Sequence, residues 1–282
     1  MMKNILIATD FSQAGHNACL YGIELAAAFN ARVILFSAYQ QLPVPVSEAP
    51  VILTQENMSG YVKEQLVQEA AVINRGGAVE LETVCMEGLV ATGILATARK
   101  YEVDIIIAGM KDRGKGFRKL FGSTVTSLAR RSHVPVIVVP VNVPYTEISA
   151  IALATENDID PDTDTHSLES LGEIGSKFNS RLYLVRVAEN SYREAFEERN
   201  KPVWLKSKLR TLAPEYKCIS GKAVPEALNE FVMGYHIKML ALLPHQHSLV
   251  ESWFVKSATR AIIFETNIPL LILPNSRSNR EN

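Results

Sequence analysis

The chain contains one α/β unit written twice. The opening "KNILIATDFS" returns as "ISAIALATEND", with Ala8-Thr9 matched by Ala154-Thr155. "ARVILFSAYQ" returns as "SRLYLVRVAEN", "VDIIIAGM" as "IKMLALLP", and "RRSHVPVIVVP" as "FETNIPLLILP", with Pro135 and Pro140 matched by Pro269 and Pro274. Any two α/β units look broadly alike. Matches in the same order at both ends of the unit point instead to a tandem repeat. The 282 residues therefore divide into two domains, 1–143 and 144–282, joined in the stretch "NVPYTE". The second copy is a little shorter, and the loop after its second strand can absorb most of the difference.

Within the first copy, strand-like and helix-like segments alternate. "NILIATD" reads as a strand and "SQAGHNACLYGIELAAAFN" as a helix with Ser12 as N-cap. "ARVILFSAY", "AVELETVCME", "VDIIIAGM" and "VPVIVVPV" read as further strands. Helices are expected over about 56–75, over "VATGILATARKYE" and over "STVTSLARRS". Five strands linked by helices predict a parallel sheet covered on both faces. The fold class is thus α/β, with two tandem doubly wound five-stranded domains of Rossmann-like character.

Composition narrows the function. The net charge of −1 gives no overall reason to expect nucleic acid or an anionic membrane as partner. Apolar runs are only strand-length, and "MMKNILIATD" lacks the apolar core of a signal peptide. Cys19, Cys85 and Cys218 are odd in number and widely spaced, as expected of free thiols in a reducing compartment. A cytoplasmic location is the expectation. There is no G-x-S-x-G elbow, no H-E-x-x-H and no readable Cys/His pair.

The stretch "IIIAGMKDRGKGFRKLFGST", 105–124, runs a strand into a basic, glycine-rich loop and then a helix start. Three phosphate-binding patterns compete for it. A dinucleotide fingerprint would need its glycines after the first strand, where "TDFSQAGHNA" supplies only Gly15. A P-loop would need Ser or Thr after Lys115, where Gly116 stands. The third pattern depends on two features: Gly109 at a strand end, where a backbone can come close, and Gly122-Ser123-Thr124 at a helix start, where unpaired N–H groups face an anion. Lys111, Arg113, Lys115, Arg118 and Lys119 add positive charge between them.

This loop, the repeat and the opening "ILIATDFS" together resemble the universal stress protein family. Its nucleotide-binding members carry glycine, two residues, glycine, nine residues, then glycine and Ser/Thr. Gly109 fits the first glycine and Gly122-Ser123 the last pair, with nine residues between position 112 and Gly122. The resemblance implies an adenine nucleotide alpha hydrolase-like fold and a nucleotide site at Asp10, Ala38, Gly109, Met110, Asp112, Gly122, Ser123, Thr124 and Val125. Asp10 would lie near base and ribose, and the backbone of Ala38 near the adenine. Two positions depart from the pattern. Asp112 replaces a glycine close to the phosphates, where repulsion costs about 1 kcal/mol or more at 4–6 Å unless Lys111 and Arg113 offset it. It could instead hold Mg²⁺ with the phosphates. Val125 stands where a small hydroxyl residue is usual.

The second copy has no glycine cradle. Leu243 stands at the place of Gly109, Gln246 at Asp112, Lys256-Ser257 at Gly122-Ser123, and Glu156 at Asp10. His245 and His247 are too few for a metal site and read as unliganded, solvent-exposed histidines, and the acidic "ENDIDPDTDTH" reads as a solvated turn capped by Asp158 or Asp160. The resemblance implies a stress-response regulator, non-enzymatic, able to bind ATP in its N-terminal half only. A nucleotide-independent interaction module and a slow ATPase are the alternatives, and the partner protein is not specified. The last strands, Val136–Val139 and Leu270–Leu273, are expected to pair antiparallel within the chain as an intramolecular pseudo-dimer, with a homodimer as a further possibility.

Overall fold

The computed structural model describes residues 1–40, 55–110, 123–155, 161–187, 209, 212–219, 224–243 and 268–274. Asp112, Gly122, Glu156, Asp158, Asp160, Gln246, Lys256, Ser257, both loop histidines and the loop cations Lys111 to Lys119 lie outside them.

In the first copy the order is β1 (Asn4–Ala8), α1 (Gln13–Phe29), β2 (Arg32–Tyr39), α2 (Gln55–Ile73), β3 (Leu81–Glu87), α3 (Val90–Lys100), β4 (Ile105–Met110), α4 (Ser123–Arg131) and β5 (Val136–Pro140). The second copy gives β6 (Ala150–Thr155), α5 (Pro161–Lys177), β7 (Arg181–Val187), β8 (Glu215–Ile219), α6 (Val224–Gly234), β9 (Met239–Leu242) and β10 (Leu270–Ile272). Helix α5 starts on Pro161, a residue suited to a helix's first position because its missing N–H has no partner there anyway. The later part of "ENDIDPDTDTH" is therefore helix, not turn.

All ten strands form one sheet in the order β3-β2-β1-β4-β5-β10-β9-β6-β7-β8. Pairing is parallel within each copy. It turns antiparallel only at the seam, where Val138 lies opposite Leu270, Ile137 opposite Leu271 and Val136 opposite Ile272. Alternate side chains of these strands enter two cores, one on each face. Ile137, Val139, Leu271 and Leu273 lie on the face carrying α1, α2 and α5. Val136, Val138, Leu270 and Ile272 lie on the face carrying α3, α4 and α6. Each core runs unbroken across the seam. Full burial of each such side chain is worth about 1.5–3 kcal/mol, which is why both faces of these strands are apolar.

The repeat holds at the level of single hydrogen bonds. Asn30 and Asn179 both take left-handed φ (53° and 49°) after the first helix of their copy. Ala31 N–H then donates to Ala26 (2.9 Å), and Ser180 N–H to Gly175 (2.8 Å). Glu102 and His236 repeat the device after α3 and α6, with φ of 48° and 52°. Val103 N–H donates to Ala98 (2.9 Å) and Ile237 N–H to Val232 (3.0 Å). These bonds satisfy carbonyls left open at a helix end.

Helix α1 also anchors the connection between copies. Asn17 Nδ2 donates to the carbonyls of Pro140 (2.9 Å) and Val143 (2.8 Å). Tyr21 meets Tyr145 edge-on at 5.2 Å, and Phe29 meets Phe178 of the second copy at 5.9 Å. The α-amino group of Met1 pairs with Glu173 at 2.6 Å.

Candidate functional site

At the carboxyl ends of β1 and β4, the two strands that diverge toward opposite halves of the first copy's sheet, there is a cavity of about 170 Å³. Open α/β sheets bind ligands at such a strand edge. Its walls come from the β1–α1 turn (Ala8, Thr9, Asp10, Ser12, Ala14, Gly15), the end of β4 (Ala108, Gly109, Met110), the start of α4 (Ser123, Thr124, Val125) and Val90 of α3.

The β1–α1 turn is held by its own polar groups. Phe11 is left-handed (φ 58°), an unusual conformation for a bulky residue. Its N–H donates to Thr9 Oγ1 at 3.0 Å. Ser12 donates from its backbone N–H (3.1 Å) and its hydroxyl to Asp10 Oδ1. Ser12 Oγ in turn accepts from Gly15 N–H at 3.3 Å, so Ser12 caps α1 as its sequence position suggested. Thr9 is bound on the far side as well. Its N–H donates to Phe36 (2.9 Å), and its carbonyl accepts from Ser37 Oγ (3.0 Å). Behind the turn, Cys19 is buried, and burial together with nearby Glu69 pushes its thiol far up. Glu69 takes a 2.7 Å contact from His16 Nδ1. Cys19 is thus a neutral, unreactive thiol in the core behind the turn.

Gly109 has a role that the sequence did not suggest. A Cβ there would lie 2.3 Å from the Ala14 carbonyl oxygen and 3.0 Å from Gly15 N. The glycine admits the first turn of α1 against β4. A ligand's approach is therefore not needed to explain it. Gly15 is constrained from the other side, since a Cβ there would lie 2.9 Å from both Asp10 Oδ1 and Thr9 Oγ1. The two glycines bring the N-terminus of α1 to the cavity, beside that of α4. Both helix ends carry unpaired N–H groups and a positive partial charge.

Of the nine residues marked in the sequence, Asp10, Gly109, Met110, Ser123, Thr124 and Val125 surround this cavity. Ser123 opens α4 as its first helical residue. Ala38 sits at the end of β2, paired with Met86 of β3, and is not part of the cavity wall. Sequence reasoning missed Ala8, Thr9, Ser12, Ala14, Gly15, Val90 and Ala108 as lining residues. For Thr9 to Gly15 the signal is the turn "TDFSQAG", whose Thr, Asp, Ser and Gly are the residues that build tight turns.

In the second copy the register places Leu243 where Gly109 stands. Leu270 is opposite Leu240 as Val136 is opposite Ile106. Leu243 is buried and packs in the core on the α1 and α5 face. Among the described residues no group of three or more His, Cys, Asp or Glu is arranged to hold a metal ion, and no helix is long and apolar enough to cross a membrane.

Residues 1–140 match the family model described as the universal stress protein family. A universal stress protein of Methanocaldococcus jannaschii is 28% identical over 142 residues, 49% of this chain and 82% of the relative. The stress response protein NhaX of Bacillus subtilis is 24% identical over 159 residues, 48% of this chain and 96% of the relative. Across both copies, the crystal structure of a universal stress protein from Archaeoglobus fulgidus aligns with a TM-score of 0.72 at 13% identity, covering 96% of this chain and 97% of that one. That last likeness concerns the fold.

Proposed function

The N-terminal half of this chain belongs to the universal stress protein family, and from that premise we propose that the chain is a cytoplasmic stress-response regulator that binds an adenine nucleotide in its N-terminal copy alone. The observation that carries the reading is the cavity between β1 and β4, faced by two helix N-termini, while in the second copy the buried Leu243 holds the register position of Gly109. At about 170 Å³ it encloses part of a nucleotide and not the whole, since sites for complete small ligands run to about 300–1,000 Å³. The helix ends suit the phosphates, and Asp10 suits hydroxyl or amino donors of the ribose and base.

The reading is non-enzymatic. Asp10 and Ser12 are hydrogen-bonded to one another, but Ser12 also caps α1, so the pair is explained by the turn it builds. A slow ATPase would require a positioned base, and none of the described cavity residues supplies one beyond Asp10. The small cavity favours one second reading, in which the chain acts through its surfaces without a nucleotide.

Mass spectrometry of small molecules released from the purified full chain tests the proposal. Adenine nucleotide near one equivalent, or its uptake on adding ATP with Mg²⁺, supports it. A chain that carries none, and whose melting temperature ATP leaves unchanged, is the interaction module. Phosphate release at stoichiometric protein would identify the slow ATPase.

A further inference from the structure

The β1–α1 turn that walls the cavity leads inward, through polar groups, to a charge on another helix. Phe11 is left-handed, a conformation that costs a bulky residue energy unless its surroundings hold it there. Its N–H donates to Thr9 Oγ1 at 3.0 Å. Behind Thr9 stands Cys19, fully buried. Its thiol meets the Thr9 hydroxyl on one side and the Glu69 carboxylate of α2 on the other. The contact with Thr9 favours a thiolate, so there the hydroxyl donates to sulfur. The contact with Glu69 disfavours one, so there the thiol donates to the carboxylate. His16 Nδ1 lies 2.7 Å from Glu69 Oε1 and completes its surroundings. The bonds all run one way, from Phe11 to Thr9 to Cys19 to Glu69, and they end on an anion. Bonds in such a series polarise and strengthen one another.

The second copy shows what this arrangement adds to packing. Asn30 and Asn179 end the first helices of the two copies in the same left-handed conformation. Eleven residues before each stand Cys19 and Leu168. Leu168 is 1% exposed and belongs to the same core face as Cys19. An apolar side chain therefore meets the packing need at this place. The thiol stands in the copy that has the cavity, and leucine in the copy where Leu243 holds the place of Gly109. Glu69 is costly in its own right, since its side chain is only 14% exposed and a carboxylate so placed needs donors. A tie between α1 and α2 would need His16 alone. The thiol extends it to the cavity wall.

We propose that Glu69 is a positioning residue for the site: through Cys19 and Thr9 it holds the left-handed turn at Phe11, and so sets where Asp10 and the N-terminus of α1 meet a ligand. Thr9 is thereby committed on both sides, its oxygen to Phe11 and its hydrogen to Cys19, and leaves Asp10 as the polar group of this turn that addresses the ligand. The identity of that ligand rests on the nucleotide reading above, whereas the chain of hydrogen bonds does not.

Infrared spectroscopy of the full chain reads that chain of bonds directly, in a background of Cys85→Ser and Cys218→Ser that leaves one thiol. The Cys19 S–H stretch should lie at the low frequency of a thiol donating to a carboxylate, and should rise in Glu69→Leu. Glu69→Gln keeps an acceptor oxygen and should raise it less. The Phe11 amide signal, followed by NMR, should move with the band. ATP is the ligand probe, and its dissociation constant should rise about tenfold in Glu69→Leu and less in Glu69→Gln. Ile73→Val trims the buried side of α2 one turn further on, and should lower the melting temperature with the affinity unchanged. A free-thiol band in the parent, a band or Phe11 signal that Glu69→Leu leaves in place, or an affinity that Glu69→Leu leaves unchanged or that Ile73→Val lowers equally would each overturn the proposal. A parent chain that binds no ATP overturns the nucleotide reading instead, and the band and the Phe11 signal still decide whether Glu69 holds the turn.

Discussion

The α-carbon of Gly109 faces the backbone of Ala14 so closely that a β-carbon would sit 2.3 Å from the Ala14 carbonyl oxygen. Backbone cannot step aside as a flexible side chain can. Gly109→Ala should therefore push the first turn of α1 off β4 and cost about 1–3 kcal/mol, in the range of overpacked sites. Urea melts would measure it. Gly76→Ala is the control, since nothing lies within 4 Å of its β-carbon position. It should stay within about 0.5 kcal/mol of the parent. Equal stability of both variants would mean that α1 does not sit where the structure places it.

The seam yields the next prediction. Val138 lies between Ala108 of β4 and Leu270 of β10 and is fully buried. Val138→Pro removes a ladder donor and adds a ring that a central strand cannot take. A loss of about 3 kcal/mol or more is expected. Small-angle scattering should show the halves moving apart. A variant with the parent's melting temperature and scattering profile would show that the halves are held together by something other than this strand pair.

Alkaline pH should weaken the fold. Burial raises the Cys19 thiol and the Tyr21 hydroxyl, and raises Tyr145 to about 12 through burial and then Glu24 and Glu147. The unfolded chain loses these protons at the ordinary values of 9 for Cys and 10 for Tyr, while the folded chain keeps them. Their contribution is complete below pH 9 and falls as pH rises toward the folded values. Urea midpoints at pH 8, 9.5 and 11 should decline in that order. The Tyr145→Phe variant should decline less steeply. A flat profile would mean that these groups are solvated in the folded chain.

Much of this architecture is legible in the sequence. The repeat fixes two copies of five strands, and the apolar ends "VPVIVVP" and "IPLLILP" mark the seam strands, because both faces of a central strand must be buried. Ser12 reads as a cap and is one. What the sequence hides is close approach across chain distance. Gly109 and Ala14 are far apart in the chain, so the letters cannot show that one glycine exists for the other's carbonyl. Ala38, which the resemblance puts at the adenine, lies at the end of β2 opposite Met86 of β3 and does not line the cavity. The turn at Phe11 is equally silent, since a left-handed bulky residue leaves no local mark in composition.

Asp112 lies outside the described residues, and its effect is predicted from chemistry alone. It stands in place of a glycine beside the phosphates in the family pattern. Asp112→Gly should strengthen ATP binding about tenfold, or 1.4 kcal/mol. Calorimetry with and without Mg²⁺ would show it. Unchanged or weaker binding in both conditions would place Asp112 away from the phosphates. A gain that vanishes with Mg²⁺ would make it a metal ligand.

The stoichiometry of nucleotide binding tests the central claim, that a duplicated unit kept its site in one copy only. Isothermal titration of the full chain with ATP should give one site per chain. The same titration of Leu243→Gly should also give one, because the second copy lacks the other glycines as well. Two equivalent sites in the parent chain, or none at millimolar ATP, would contradict the account.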